Sequence, residues 1–156
     1  MTNILKLSLA AVAIAALAAC GGGDSTEPAD KYVGNWKSSC YQDTATSGNI
    51  YYYINKANYA KVSAGEIMIT ATYDAHSDTA CASKVGSGNL TTRKMNIGAE
   101  TTFLGAKADV IALITVSTGE AFPGYATTDG TKLNIITYAA GGSASGWGKA
   151  SPYTKQ

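Results

Sequence analysis

The sequence predicts an all-β fold, a small antiparallel β-barrel of about seven or eight strands, on three observations. From about residue 31 onward the chain is rich in Tyr, Thr, Ser, Gly, Ile and Val, which are strand and turn residues. Candidate strands recur at intervals of roughly eight to fifteen residues, the spacing of a sandwich or barrel. Residues that tolerate positive φ fall between them, and no segment after Ala19 carries an amphipathic helical period. Closure into a barrel removes the unpaired edges that such a sheet otherwise exposes.

The chain starts with a different kind of segment. Lys6 ends a short positive region, and residues 7–19 are an unbroken run of Leu, Ala, Val, Ile and Ser. That run is too short to cross a bilayer as a helix, which takes about 20 residues, and it reads as an export signal. Its end, Leu17-Ala18-Ala19-Cys20, resembles the lipobox of bacterial lipoproteins. The resemblance implies cleavage before Cys20, lipid attached to Cys20, and a cell-envelope protein held to a membrane by that anchor. Gly21 after the cysteine implies sorting to the outer membrane. Residues 21–30, GGGDSTEPAD, have the composition of a flexible tether, which leaves residues 31–156 as a single domain.

Within that domain the expected strands are residues 32–41, 49–57, 66–74, 90–97, 108–116 and 131–139. In the second, Ile50, Tyr52 and Ile54 share one face and Tyr51, Tyr53 and Asn55 the other. The third alternates cleanly, with Ile67, Ile69, Ala71 and Tyr73 inward and Met68, Thr70, Thr72 and Asp74 outward. The fourth is the weakest pattern. Segment 108–116 is almost continuously apolar, which predicts cover on both faces. Ser47-Gly48-Asn49, Ala64-Gly65, Ser87-Gly88 and Asp129-Gly130 supply the turns.

Charge excludes one function class. The chain has 12 Lys+Arg against 11 Asp+Glu, and removing residues 1–19 takes away Lys6 to leave 11 against 11. Without a basic face, nucleic acid is not an expected partner. With Cys20 lipidated, as the lipobox resemblance implies, Cys40 and Cys81 remain as an even pair in an oxidising compartment, and one disulfide between them is the economical inference. It ties the first strand to a mid-chain turn, and closing a loop of this length contributes about 4 kcal/mol in the chain-entropy description.

Tyr32-Val33-Gly34-Asn35-Trp36, at the start of the first strand, resembles the G-x-W signature of lipocalins and related calycin barrels. There the tryptophan plugs the closed end, which implies a barrel-closing role for Gly34 and Trp36. Together with Cys40, residues 73–81 (YDAHSDTAC) and the final Tyr-Thr-Lys-Gln, the pattern is similar to a group of small lipoproteins of Gram-negative bacteria. The T-D-Y motif of true lipocalins and the arginine of their last conserved segment are missing. Lys149, just after Trp147, is the position expected to stand in for that arginine over an aromatic ring.

Catalytic patterns are sparse. The single His76 lies in the turn Asp74-Ala75-His76-Ser77-Asp78, with no G-x-S-x-G or S-x-x-K elsewhere. Asp74, His76 and Asp78 are weak metal candidates at alternate positions, but Thr79 and Val85 stand where an EF-hand needs Gly and Glu. An exposed Asx-type turn with His76 at the surface is the expected reading, with no metal. Gly86-Ser87-Gly88 and Gly148-Lys149-Ala150 each miss an element of a phosphate-binding loop, so no cofactor is expected. Gly-rich residues 141–148 carry Trp147 in a loop, and Tyr51 and Tyr53 are candidates for an exposed aromatic contact.

These readings predict a non-enzymatic binding module on an envelope anchor. Its barrel is expected to hold a small apolar ligand against Ile67, Ile69, Tyr73, Leu133 and Ile135. The alternatives are a protein-binding module of the periplasmic lysozyme-inhibitor kind, with an envelope protein as partner, and a structural envelope protein.

Overall fold

A computed structural model describes residues 26–44 and 49–156. The export segment, Cys20, residues 21–25 of the tether and most of the Ser47-Gly48-Asn49 turn lie outside the described residues.

A short 3-10 turn, Asp30–Tyr32, is followed by strands β1 (Gly34–Ser38), β2 (Tyr41–Thr44), β3 (Ile50–Ser63), β4 (Glu66–His76) and β5 (Lys84–Asn89). Then come β6 (Arg93–Phe103), β7 (Ala106–Thr115), β8 (Ala121–Thr128), β9 (Lys132–Thr137) and β10 (Tyr153–Lys155). All pairings are antiparallel, in the order β3-β1-β10-β9-β8-β7-β6-β4, and β4 returns to β3 to close an eight-stranded barrel. β2 and β5 are the two strands outside the ring.

The long β3–β4 hairpin explains both. β1 pairs with the lower part of β3 (Trp36 opposite Ala57) and β2 with its upper part (Tyr41 opposite Tyr53). β6 and β5 likewise divide β4, with Ile69 opposite Arg93 and Tyr73 opposite Gly88. β1–β2 is therefore the single strand expected at residues 32–41, broken by a one-residue register shift at Ser39-Cys40. β2, β5 and the upper halves of β3 and β4 stand above the barrel rim as a four-stranded flap.

Cys40, in the break, is bonded to Cys81 in the β4–β5 loop, with Cα atoms 5.9 Å apart. The bridge spans 41 residues and ties the tip of the flap to its base. Thus the expected disulfide is present. Cys81 itself has φ of 52°, a conformation the covalent bond helps to impose.

The inward set on β4 is the expected one, with Ile67 and Ile69 buried and Ala71 partly so. Two expectations need correction. Segment 108–116 is not covered on both faces, for Val110 is 42% exposed and only Ala108, Asp109, Ile111, Leu113 and Thr115 are buried. The tether's last residues also belong to the body: Ala29 is fully buried and its N–H donates to the Ala64 carbonyl, 2.9 Å away. The apolar end of the barrel needs a lid, and these residues supply it.

That lid is the centre of the lower core. Trp36 and Tyr32 are both fully buried, and the Trp36 indole N–H donates to the Tyr32 carbonyl at 2.7 Å. The Tyr32 hydroxyl lies 2.7 Å from Asp109 Oδ2 and 3.0 Å from the Ala126 carbonyl, joining the plug to β7 and β8. Lys31 reaches the same carboxylate at 2.8 Å. Burial and the neighbouring Asp109 push the Tyr32 phenol well above its ordinary pKa, so it stays a donor. Gly34 carries φ of +139°, and a Cβ there would sit 2.8 Å from Lys155 Cε. This leaves room for Lys155, whose ammonium is 5.5 Å from the Trp36 ring centroid. The cation over the tryptophan is thus Lys155 from the last strand, and Lys149 instead pairs with Asp43 at the other end.

Every buried core residue lies between Ala29 and Leu133, so a fragment of residues 24–156 contains the complete core. In urea denaturation of that fragment, Tyr32→Phe is expected to cost about 1–3 kcal/mol, the range for losing a hydrogen bond to a buried carboxylate. Trp36→Ala should cost about 3–5 kcal/mol. Equal stability of Tyr32→Phe and wild type would show that Lys31 alone satisfies Asp109. Replacing Cys40 and Cys81 by Ala should lower stability by about 4 kcal/mol without changing the far-ultraviolet dichroism, because the bridge acts on the unfolded chain.

Candidate functional site

The upper half of the barrel is hollow. Below, the interior is filled by Trp36, Tyr32, Ile67, Met95 and Leu133, each fully buried. Above them the inward positions turn small, with Ala57 opposite Ala71 across β3–β4. Strand alternation aims these residues inward, and their short side chains leave a cavity of about 640 Å³. Its apolar wall includes Ala57, Ile69, Ala71, Leu113 and Ile135. That volume is within the range of about 300–1,000 Å³ typical of small-molecule sites.

Polar groups stand at defined points of this wall. Tyr41 and Asn55 exchange hydrogen bonds (Tyr41 hydroxyl to Asn55 Oδ1 at 3.3 Å, Asn55 Nδ2 to Tyr41 hydroxyl at 3.0 Å). Asn55 Nδ2 also lies 3.4 Å from the Tyr153 hydroxyl, and the Asn55 backbone N–H donates to Ser38 Oγ at 2.8 Å. Burial raises the phenol pKa of Tyr41, Tyr59 and Tyr153, so all three are neutral donors near neutral pH. Arg93, inward-facing at the start of β6, also lines the cavity, and its guanidinium carbon lies 5.7 Å from the Phe122 ring centroid.

The cavity opens at the end away from the Trp36 plug. Asp43 and Lys149 face each other there at 3.3 Å, with side chains 50% and 72% exposed, joining β2 to the β9–β10 connection. Above the opening, the flap continues the inward face of the barrel as a row of tyrosines. Tyr53 lies 6.0 Å from Tyr41, 6.4 Å from Tyr51 and 5.7 Å from Tyr73, ring centre to ring centre. Gly88 makes this possible, since a Cβ there would fall 2.8 Å from the Tyr73 ring.

No known protein family, curated protein or solved structure matches this chain. The fold is a small closed antiparallel barrel compatible with the lipocalin-like architecture that the Gly34-x-Trp36 resemblance implies.

The sequence-derived site residues are divided by this geometry. Ile69 and Ile135 are on the cavity wall. Ile67 and Leu133 are one layer lower in the filled core, fully buried and away from the cavity. Tyr73 is above it, in the flap. Tyr51 and Tyr53 are half-buried members of the same inward-facing row, because β3 continues the alternation of Asn55, Ala57 and Tyr59. Trp147 packs edge-on against Phe103 at 5.0 Å, and Phe103 stacks on the outward-facing Tyr125 at 4.3 Å. Sequence reasoning missed Arg93, although it is the only arginine of the chain and its spacing with Met95 and Ile97 aims it inward.

Asp74, His76 and Asp78 do not converge. Asp74 is held by Lys56 at 2.7 Å and Lys84 at 2.6 Å, and these pull its pKa down to about 2. Asp78 accepts from the backbone N–H groups of Ser83, Ala82 and Ala80 in an Asx-type turn that starts after β4, whereas Asp74 and His76, expected in the turn with His76 at the surface, belong to the end of β4. His76 is 6% exposed, and neither ring nitrogen has a hydrogen-bond partner among the described residues.

Asp129 likewise has its pKa lowered to about 2, by the Lys132 and Thr131 backbone N–H groups. A carboxylate with a depressed folded pKa stabilises the fold fully above its unfolded pKa of about 3.9 and loses that contribution as pH falls through the folded value. Stability should therefore drop as pH falls from about 4 toward 2. Asp74→Asn should flatten that drop, read by thermal melts across the window. An unchanged slope in the variant would show that the lysine pairs do not persist in solution.

Proposed function

We propose that this chain is an envelope-anchored, non-catalytic binding protein whose barrel takes a small apolar ligand. Cys20 carries the lipid, and the outer membrane is the expected location. The observation that carries the binding reading is the unfilled upper half of the barrel, a cavity of about 640 Å³ with an apolar wall and an open, tyrosine-lined end. Proteins pack their interiors densely, and a void of this size beside a fully packed lower layer forgoes dispersion contacts that a ligand restores. The lipobox motif at Leu17-Ala18-Ala19-Cys20 supports the anchor and its address.

An environment-sensitive neutral dye, N-phenyl-1-naphthylamine, tests the cavity directly. Its emission on titration with the 24–156 fragment should rise and saturate at micromolar concentration. Tryptophan emission is a poorer reporter, since Trp36 is sealed in the floor and Trp147 packs outside the barrel. Ala71→Leu, which adds bulk to the cavity wall, should weaken dye binding several-fold while leaving the fold intact. Absence of saturable binding to the folded wild type would shift attention to a protein partner at the tyrosine row. For the anchor, cells expressing the full chain should incorporate a labelled fatty acid that Cys20→Ser abolishes.

A further inference from the structure

Resting on the reading of the barrel as a ligand site, we propose that its ligand is an amphiphile bearing a carboxylate, which Arg93 anchors within the cavity. The register places Tyr59, Ile69, Arg93 and Thr115 in one row across β3, β4, β6 and β7. Strand alternation aims all four inward, immediately above the filled layer of Ile67 and Met95. The chain's only arginine thus lines the cavity together with Ala57, Ile69, Leu113 and Ile135.

Among the described residues no carboxylate pairs with it. Asp109 is held by Lys31, Asp74 by Lys56 and Lys84, Glu66 by Lys94 and Asp43 by Lys149. Glu27 and Asp30 are held by Lys61, and Glu100 by Lys107. Asp78 and Asp129 are engaged by the backbone of their own turns, and Glu120, in the β7–β8 turn, makes no ion pair among the described residues. What Arg93 does meet is the face of Phe122, which attracts the cation but accepts none of its in-plane N–H groups.

A half-buried guanidinium with no ionic partner gains from an anion that fits its planar fork. A carboxylate does so with two parallel hydrogen bonds, and the neutral hydroxyls of Tyr59 and Tyr153 add donors beside it. Tyr59, Arg93 and Tyr153 all line the same cavity. Ala57, Ile69, Ala71, Leu113 and Ile135 give the cavity an apolar stretch of wall, and Tyr53 and Tyr73 stand above Tyr41 at its opening, so the rest of the ligand is hydrocarbon or aromatic.

Displacement of N-phenyl-1-naphthylamine from the 24–156 fragment by three compounds of equal chain length tests this, namely dodecanoate, dodecanol and dodecyltrimethylammonium below their micellar concentrations. Dodecanoate should displace the dye at a concentration about tenfold lower than dodecanol, with the cation weakest. Arg93→Gln should bring dodecanoate to the level of dodecanol while dye affinity is retained. Arg93→Lys, which keeps the charge but not the fork, should fall between. Equal displacement by dodecanoate and dodecanol from wild type overturns the carboxylate anchor and leaves the apolar cavity standing. A preference for dodecanoate that survives in Arg93→Gln overturns the role of Arg93. Dye that fails to bind folded wild type overturns the cavity reading and this proposal with it. If Arg93→Gln is unfolded by far-ultraviolet dichroism, the wild-type series and Arg93→Lys decide.

Discussion

The hydrogen bond from the buried Tyr32 hydroxyl to Asp109 fixes which end of this barrel is closed. It joins the segment before β1 to β7, 77 residues later in the chain. Asp109 is itself 4% exposed, and a carboxylate at that depth is tolerable only because Tyr32 and Lys31 both reach it. Once Tyr32 is fixed, its carbonyl is in place for the Trp36 indole, and Trp36 in turn supplies the ring under Lys155 of the final strand. One polar cluster therefore connects the first turn, the first and last strands, and the middle of the sheet. The lower core of Ile67, Met95 and Leu133 packs on that assembled floor.

The asymmetry of the interior follows from side-chain size. The floor carries Trp, Tyr, Ile, Met and Leu, whereas Ala57 and Ala71 line the space above it. Eight strands enclose an interior that large side chains just fill, so a change to Ala leaves space. The strands that bound this space also outgrow it. β3 has 14 residues and β4 has 11, and their upper halves need pairing partners of their own. The register breaks at Ser39-Cys40 and at residues 90–92 provide β2 and β5, and the Cys40–Cys81 bond holds the result upright over the opening. The disulfide thus contributes to the shape of the entrance as well as to stability.

What was legible in the sequence was whatever depended on period-two alternation of large apolar residues. β4 could be read nearly to the residue, because Ile67, Ile69 and Ala71 face a core and Thr70 and Thr72 face water. β8 was invisible for the same reason. Its inward residues are Phe122, Gly124 and Ala126, of which only the first is large enough to register in a pattern, and Pro123 reads as a breaker. β5 was lost because Gly86-Ser87-Gly88 has the composition of a turn, although Gly88 is there to admit the Tyr73 ring. Lys149 was expected over an aromatic ring and Lys155 is found there, a choice set by the pairing of Trp36 with Lys155 across β1 and β10. Pairing of strands more than a hundred residues apart has no local signature.

Arg93 shows why the cavity itself could not be read from local pattern. A strand that begins Arg-Lys-Met-Asn-Ile looks like a weak edge, with two charges before the first apolar residue. Alternation from Met95 and Ile97 assigns the first charge to the inside and the second, Lys94, to the outside, where it pairs with Glu66 across β4. A core that specified only a stable barrel would place an aliphatic residue at position 93 and larger residues at positions 57 and 71. Local propensity, packing and charge agree everywhere in the lower half of the molecule and disagree together in the upper half. Two independent departures, missing volume and an unpaired cation, coincide in one space. A ligand with an apolar body and one negative end removes both departures at once, whereas packing alone can remove only the first.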